Sequence, residues 1–240
     1  MSEAEQTDDI TIAEPYGWGG IGPVSSVLAV MLCGVCAFAD LYATQPLLPL
    51  FVDIFHVSKS AAGLTVSAST LGVALSAPFV SMYAERLNRK RVIAASILAL
   101  AIPTLLAATS PNLYALVFWR FLQGVLMPGI FATTIAYIIE EWSDHSVALV
   151  MAFYISSTVL GGFLGRLVAG FLTERFNWQT AFVVLGAINI PGGLLVALWL
   201  PHARKSGHPI AAHAADTANK LRTMLRSFQN PQQAATFALG

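Results

Sequence analysis

Six apolar stretches, each long enough to cross a bilayer, decide what this chain can become. A spanning helix needs about twenty predominantly apolar residues. The sequence offers Ser25–Leu50, Ala62–Ala84, Val92–Thr109, Leu113–Ile139, Val147–Leu172 and Gln179–Leu200. Short gaps rich in charge or helix breakers separate them: DIFHVSKS, ERLNRKR, SPN, EEWSDHS and ERFNW. No run alternates apolar and polar residues as a barrel strand would, so helices are the predicted elements. Composition agrees, with 56% hydrophobic and 11% charged residues against about 25% charged in soluble domains. Lipid is the implied solvent. A formal net charge of zero argues against a nucleic-acid partner, which calls for a clustered basic surplus.

The organisation follows from these runs. Residues 1–23 form an acidic tail with Glu3, Glu5, Asp8, Asp9 and Glu14 and no Lys or Arg, unlike the basic start of a secretory signal. Residues 24–200 hold the six-helix bundle, 201–230 a polar linker, and 231–240 a last mixed segment. In the linker Leu221, Met224, Leu225 and Phe228 share one helical face beside Lys220, Arg222 and Arg226. An amphipathic helix on the membrane surface and a solvated linker both fit that pattern. Cys33 and Cys36 stand three apart in an apolar run with no strand nearby, and read as small apolar side chains rather than a redox pair.

The cations set direction. Arg86, Arg89, Lys90 and Arg91 follow the second run, and Arg204, Lys205, Lys220, Arg222 and Arg226 follow the sixth. The opposite loops hold only Lys59 and Arg175, while Arg120 and Arg166 lie within runs. The positive-inside rule therefore predicts both termini on the cytoplasmic side, in a multi-pass protein of a bacterial inner membrane.

An internal echo adds a second constraint. Shifted by 89 residues, segment 67–88 falls on 156–177, and Ser67, Leu71, Gly72, Leu75, Glu85, Arg86 and Asn88 meet identical residues. The shift carries the second helix onto the fifth. A unit repeated after three crossings is inverted in the membrane, the pattern of a 3+3 inverted repeat in a transporter half.

SMYAERLNRKR (81–91) resembles the loop motif between helices 2 and 3 of the major facilitator superfamily. Ser81, Glu85, Arg86, Asn88, Arg89, Lys90 and Arg91 occupy its positions, with Asn88 expected to suit a positive φ. RFLQG (120–124) is similar to the helix 4 motif, GGFLGRLVAG (161–170) to the glycine-rich helix 5 of exporters, and DLYATQPLLP (40–49) to the end of helix 1 in the multidrug and sugar-efflux branch. The Gly-Pro pair of the drug antiporters is missing. The resemblance implies proton-coupled efflux of a small molecule by alternating access, without enzyme activity, cofactor or metal. It also implies a twelve-helix fold of which this all-α membrane chain supplies the N-terminal half. Residues 231–240 would then begin helix 7. The missing partner is a C-terminal six-helix half or a second copy, and a truncated product that transports nothing is the alternative.

Asp40, Arg120 and Arg166 sit inside spans, where a charge costs about 2.5–3.5 kcal/mol; such residues face the bundle interior or a wet cavity. Three readings stand for Asp40 and Arg120. In one, Asp40 exchanges the coupling proton and Arg120 senses its charge; in the second, a static ion pair ties helix 1 to helix 4; in the third, Asp40 faces water and only binds substrate. Arg166 either lines the cavity or snorkels to the headgroups. Tyr42, Gln45, Gln123, Tyr154 and Asn189 complete the polar cavity candidates. Gly72, Gly124, Gly161, Gly162, Gly165 and Gly170 are interface candidates, because small residues four apart let membrane helices approach closely. They pack either within this half or against its partner. The basic loop anchors the inner face, and the family resemblance adds a cytoplasmic gate, with Glu140, Glu141 and Asp144 as partners. Pro46, Pro78, Pro103, Pro128 and Pro191 are expected to kink their helices, and NIPGG (189–193) is the foremost candidate for a break. An intramembrane serine protease is excluded by histidines that all lie outside the runs, and no pore ring suggests a channel.

Overall fold

The computed structural model describes residues 24–84 and 88–201, with backbone alone at 81–84, 144 and 145. The acidic tail, the linker beyond Pro201, the would-be helix 7, Glu85 and Arg86 lie outside the described residues. The described chain is helical throughout: α1 (Val24–Tyr42), α2 (Leu48–Phe55), α3 (Lys59–Ala84), α4 (Arg89–Ala107), α5 (Leu113–Leu126), α6 (Pro128–Glu141), α7 (Asp144–Arg175) and α8 (Trp178–Trp199). These build six spans, Val24–Phe55, Lys59–Val80, Arg89–Ala107, Leu113–Glu141, Ser146–Arg175 and Trp178–Trp199, one for each apolar run. We call the end where α1 begins the base and the end where α2 finishes the top.

Local signals place the helix starts. Asn112 and Asn177 take extended backbone and cap α5 and α8, their side-chain oxygens accepting from Ala115 N at 2.9 Å and Thr180 N at 2.8 Å. Such caps satisfy donors the first turn cannot. Asn88 also precedes a helix, and its φ of −65° corrects the expected positive value: a residue entering α4 needs the extended region. The left-handed residue among those described is His56, closing α2 with φ 51°.

Two of the five proline positions break their helices, and NIPGG does not. The first span breaks after Tyr42 into a 3-10 turn (Gln45–Leu47) containing Pro46, and the fourth breaks at Met127, with Pro128 opening α6. The α8 helix runs unbroken through Pro191. Its Gly192 and Gly193 serve contact instead: an added Cβ would fall 2.9 Å from Cys36 Sγ and 2.8 Å from Leu98 Cγ, respectively.

Two apolar clusters fill the bundle. The base cluster includes Val30, Cys33, Ile97, Ile138, Tyr154 and Val196; the top cluster includes Leu47, Phe51, Leu116, Ala169, Trp178 and Phe182, with the Phe51 and Trp178 rings edge-on at 5.5 Å. Cys33 and Cys36 are both free thiols buried at the base.

Helix contact is heaviest along three seams, α4 against α8 and the glycine-lined pair α1 against α7 and α3 against α5. A Cβ on Gly161 would fall 2.6 Å from Val35 O, and one on Gly72 would fall 2.9 Å from Val125 N. Gly165 lies against the Ala39 backbone and Gly124 against Ser69. Thus the glycine stripes are used inside this half. Gly170 is the exception, since its added Cβ would meet only Pro46 Cβ, at 4.0 Å. Only 22% and 28% of the residues in the apolar stretches of the α3 and α7 spans are buried, against 56% for the first and fourth spans. Leu71, Leu75, Phe79, Ile155, Phe163 and Phe171 lie exposed along them.

Candidate functional site: a buried carboxylate–guanidinium network

Between the two clusters lies a polar layer. Asp40, Thr104, Arg120, Gln123 and Asn189 are all 2% exposed or less. On each of their helices the neighbours toward one end belong to the base cluster and those toward the other end to the top cluster. Polar groups so enclosed must satisfy one another.

Arg120, from α5, meets α1 at its break. Its Nη1 donates to Asp40 O and its Nη2 to Leu41 O, both at 2.8 Å, while Nε donates to Thr65 O of α3 at 3.2 Å. The physical reason is local. Where α1 ends, the carbonyls of Asp40 and Leu41 lose their partners from the next turn. Proline at position 46, which lacks an N–H, prevents the helix from continuing. The guanidinium fork caps the broken helix from outside it.

The Asp40 carboxylate is reached by other groups. Asn189 Nδ2 of α8 donates to Oδ2 in a short hydrogen bond. Thr104 Oγ1 of α4 lies 3.4 Å from Oδ1 but donates to Leu100 O at 2.7 Å. Gln123 closes the circuit, its Nε2 donating to Thr104 Oγ1 at 2.8 Å and its Oε1 accepting from Arg120 Nη1 at 2.6 Å. The depths thus bring Asp40 and Arg120 together, with a backbone carbonyl and a two-residue relay joining them rather than a carboxylate–guanidinium ion pair; among the described residues the ion pair is that of Arg89 with Glu140. Sequence reasoning missed Thr104, a hydroxyl that in an apolar run usually does no more than bond back to its own helix.

The other cavity candidates separate. Tyr42, Gln45 and Arg166 gather on the exposed flank between the α1 break and α7. Tyr154 is buried in the base cluster, its hydroxyl donating to Phe131 O at 3.4 Å. At the base, Arg89 clasps Glu140 through Nε and Nη2, both side chains being largely buried; Tyr137 OH nearby donates to Pro201 O at 3.2 Å. Of the loop motif, Asn88, Arg89, Lys90 and Arg91 fall among the described residues, while the Ser81 and Asp144 side chains do not. No group of three His, Cys, Asp or Glu able to hold a metal occurs among the described residues.

The family model of the Major Facilitator Superfamily matches residues 30–239. The chain belongs to that superfamily. It is 32% identical over 214 residues to an uncharacterized transporter of Buchnera aphidicola subsp. Schizaphis graminum, covering 89% of this chain and 51% of the relative. It is 28% identical over 229 residues to the inner membrane transport protein YnfM of Escherichia coli, covering 94% and 53%. The fold resembles a bacterial homologue of the human lysosomal transporter Spinster in its inward-facing, occupied conformation (TM-score 0.68, 21% identity, 76% of this chain and 45% of that one). It also resembles the proton:xylose symporter XylE (TM-score 0.67, 16% identity, 78% and 46%). The chain spans about half the length of the curated relatives it matches. It is a multi-pass membrane protein.

Proposed function

We propose that this chain is the N-terminal half of a proton-coupled carrier that exports a small molecule across the bacterial inner membrane by alternating access. Both termini face the cytoplasm and the second half comes from a C-terminal six-helix unit. One observation carries the reading: a carboxylate and a guanidinium, fully enclosed midway between two apolar clusters, joined by a relay able to register a proton.

The chemistry runs through Thr104. Protonated, Asp40 can donate from Oδ1 to Thr104 Oγ1, whose own hydrogen stays on Leu100 O. Ionised, the carboxylate needs a donor at Oδ1, and the Thr104 hydrogen swings to it. Leu100 O then loses its hydroxyl partner, and the oxygen that Gln123 Nε2 contacts is reoriented. Gln123 passes that change to Arg120, which holds the break in α1 against α3. Proton occupancy is thereby linked to the joint between the two segments of the first span, where movement would alter access.

Efflux draws support from similarity to the multi-drug resistance efflux pump PmrA of Streptococcus pneumoniae, 26% identical over 195 residues. The inverted repeat draws support from the two glycine-lined seams, whose contacts match under a shift of 89 on α3/α7 and 90 on α1/α5 (Gly72 on Gly124 and Val125; Gly161 on Gly34 and Val35). The Arg89–Glu140 clasp suits a latch at the cytoplasmic gate. The deciding experiment is gradient-driven transport by the complete carrier in proteoliposomes, screened over dyes, sugars and organic anions. Asp40→Asn should abolish uphill movement yet retain exchange without a gradient. Uphill transport at the wild-type rate would end the proton assignment.

A further inference from the structure

We infer that Arg166 is the seat for an organic anion with an apolar body, which names the chemical class of the transported molecule. Arg166 Nε donates to Gln45 Oε1 at 2.8 Å, and its Cζ lies 4.3 Å from the centre of the Tyr42 ring. Tyr42 is itself held from behind, because Gly162 leaves room for the ring where a Cβ would fall 2.8 Å from Cδ2. Two side chains thus fix the guanidinium in place rather than leaving it to reach for headgroups. They engage its Nε and its face. They leave the Nη fork, the part that matches a carboxylate bidentately, open to the adjoining pocket.

That pocket has a volume of about 600 Å³, within the ordinary range of small-molecule sites, and Arg166 lines it together with Pro46, Leu50, Leu167, Phe171 and Thr173. Its floor is open because Gly170 carries no side chain, and an added Cβ there would meet only Pro46 Cβ, at 4.0 Å. Thr173 Oγ1 is a second donor there, buried and without a partner among the described residues. Glu174, at the far end of the pocket, stands eight residues along the helix from Arg166, about 12 Å at 1.5 Å per residue. No ion pair joins it to Arg166. A fixed cation lacking its counter-ion, a lone hydroxyl and apolar walls together select a carboxylate on a hydrocarbon frame.

The inference deepens the transport reading and rests on it for the word substrate. Equilibrium binding tests the seat alone, whereas gradient-driven flux tests Asp40, so either can fail without the other. The probe is octanoate, titrated calorimetrically into the full chain in zwitterionic nanodiscs, with neutral octanamide as control. Wild type should prefer octanoate about tenfold, the worth of one charge-assisted hydrogen bond. Arg166→Gln should erase the preference, Arg166→Lys restore part of it, and Gly170→Leu block both ligands by filling the floor. Equal binding of octanoate by wild type and Arg166→Gln, or no preference in wild type, overturns the proposal. A lipid arm uses nanodiscs containing phosphatidylglycerol. Lipid retained by wild type, lost in Arg166→Gln and not displaced by octanoate would assign the seat to a headgroup and overturn the small-molecule assignment.

Discussion

The α1–α7 and α3–α5 seams are built alike and furnished differently. Each brings backbone against backbone through glycine, and under the proposed repeat Gly72 on Gly124 and Val125 answers to Gly161 on Gly34 and Val35. The charged residues within the spans do not correspond. Opposite Asp40 and Arg120 the repeat places Ile130 and Val30, both in the base cluster; opposite Arg166 and Tyr42 it places Ala77 and Ala132. Small residues that set helix spacing recur in both halves, whereas those available for proton or ligand chemistry occur once. In the proposed carrier, function rests on the departures from the repeat.

Substitutions can break that comparison, the severest being those on the shared framework. Gly124→Val and Gly165→Val each push a branched side chain into a neighbouring backbone, and each should destabilise the bundle by about 3 kcal/mol or more. Chemical unfolding in micelles should show equal losses from the two seams if they are equivalent. A next-smaller loss, about 2–3 kcal/mol, is expected from Arg120→Leu, which strands the carbonyls of Asp40, Leu41 and Thr65 away from water. Val30→Leu, at the corresponding place on α1, strands nothing and should cost under about 1.5 kcal/mol. Arg89→Gln at the base gives up one enclosed ion pair, and a loss of roughly 1–2 kcal/mol in the same assay would fit. Gly170→Ala should change stability by less than about 0.5 kcal/mol. A large effect there would show that Gly170 belongs to the packing stripe after all.

The six spans were legible because lipid leaves the backbone no alternative to long apolar helices. Asp40 and Arg120 stood out because a charge within a span demands company. Their actual connection was not readable. It depends on which way Gln123 and Thr104 turn, and a sequence fixes neither rotamer nor helix rotation. NIPGG misled for a related reason: the same two glycines can loosen a helix or admit a neighbour, and the choice belongs to Cys36 and Leu98 on other helices. Asn88 misled because the loop motif suggested a turn where the next helix required an entry.

Cys33 and Cys36, walled in at the base, offer a use beyond packing. A maleimide reagent applied from that side should leave both untouched while the surrounding side chains stay closed over them. Faster modification during turnover would then time the parting of that end of the protein, with native sulfur as the stopwatch and no engineered label required.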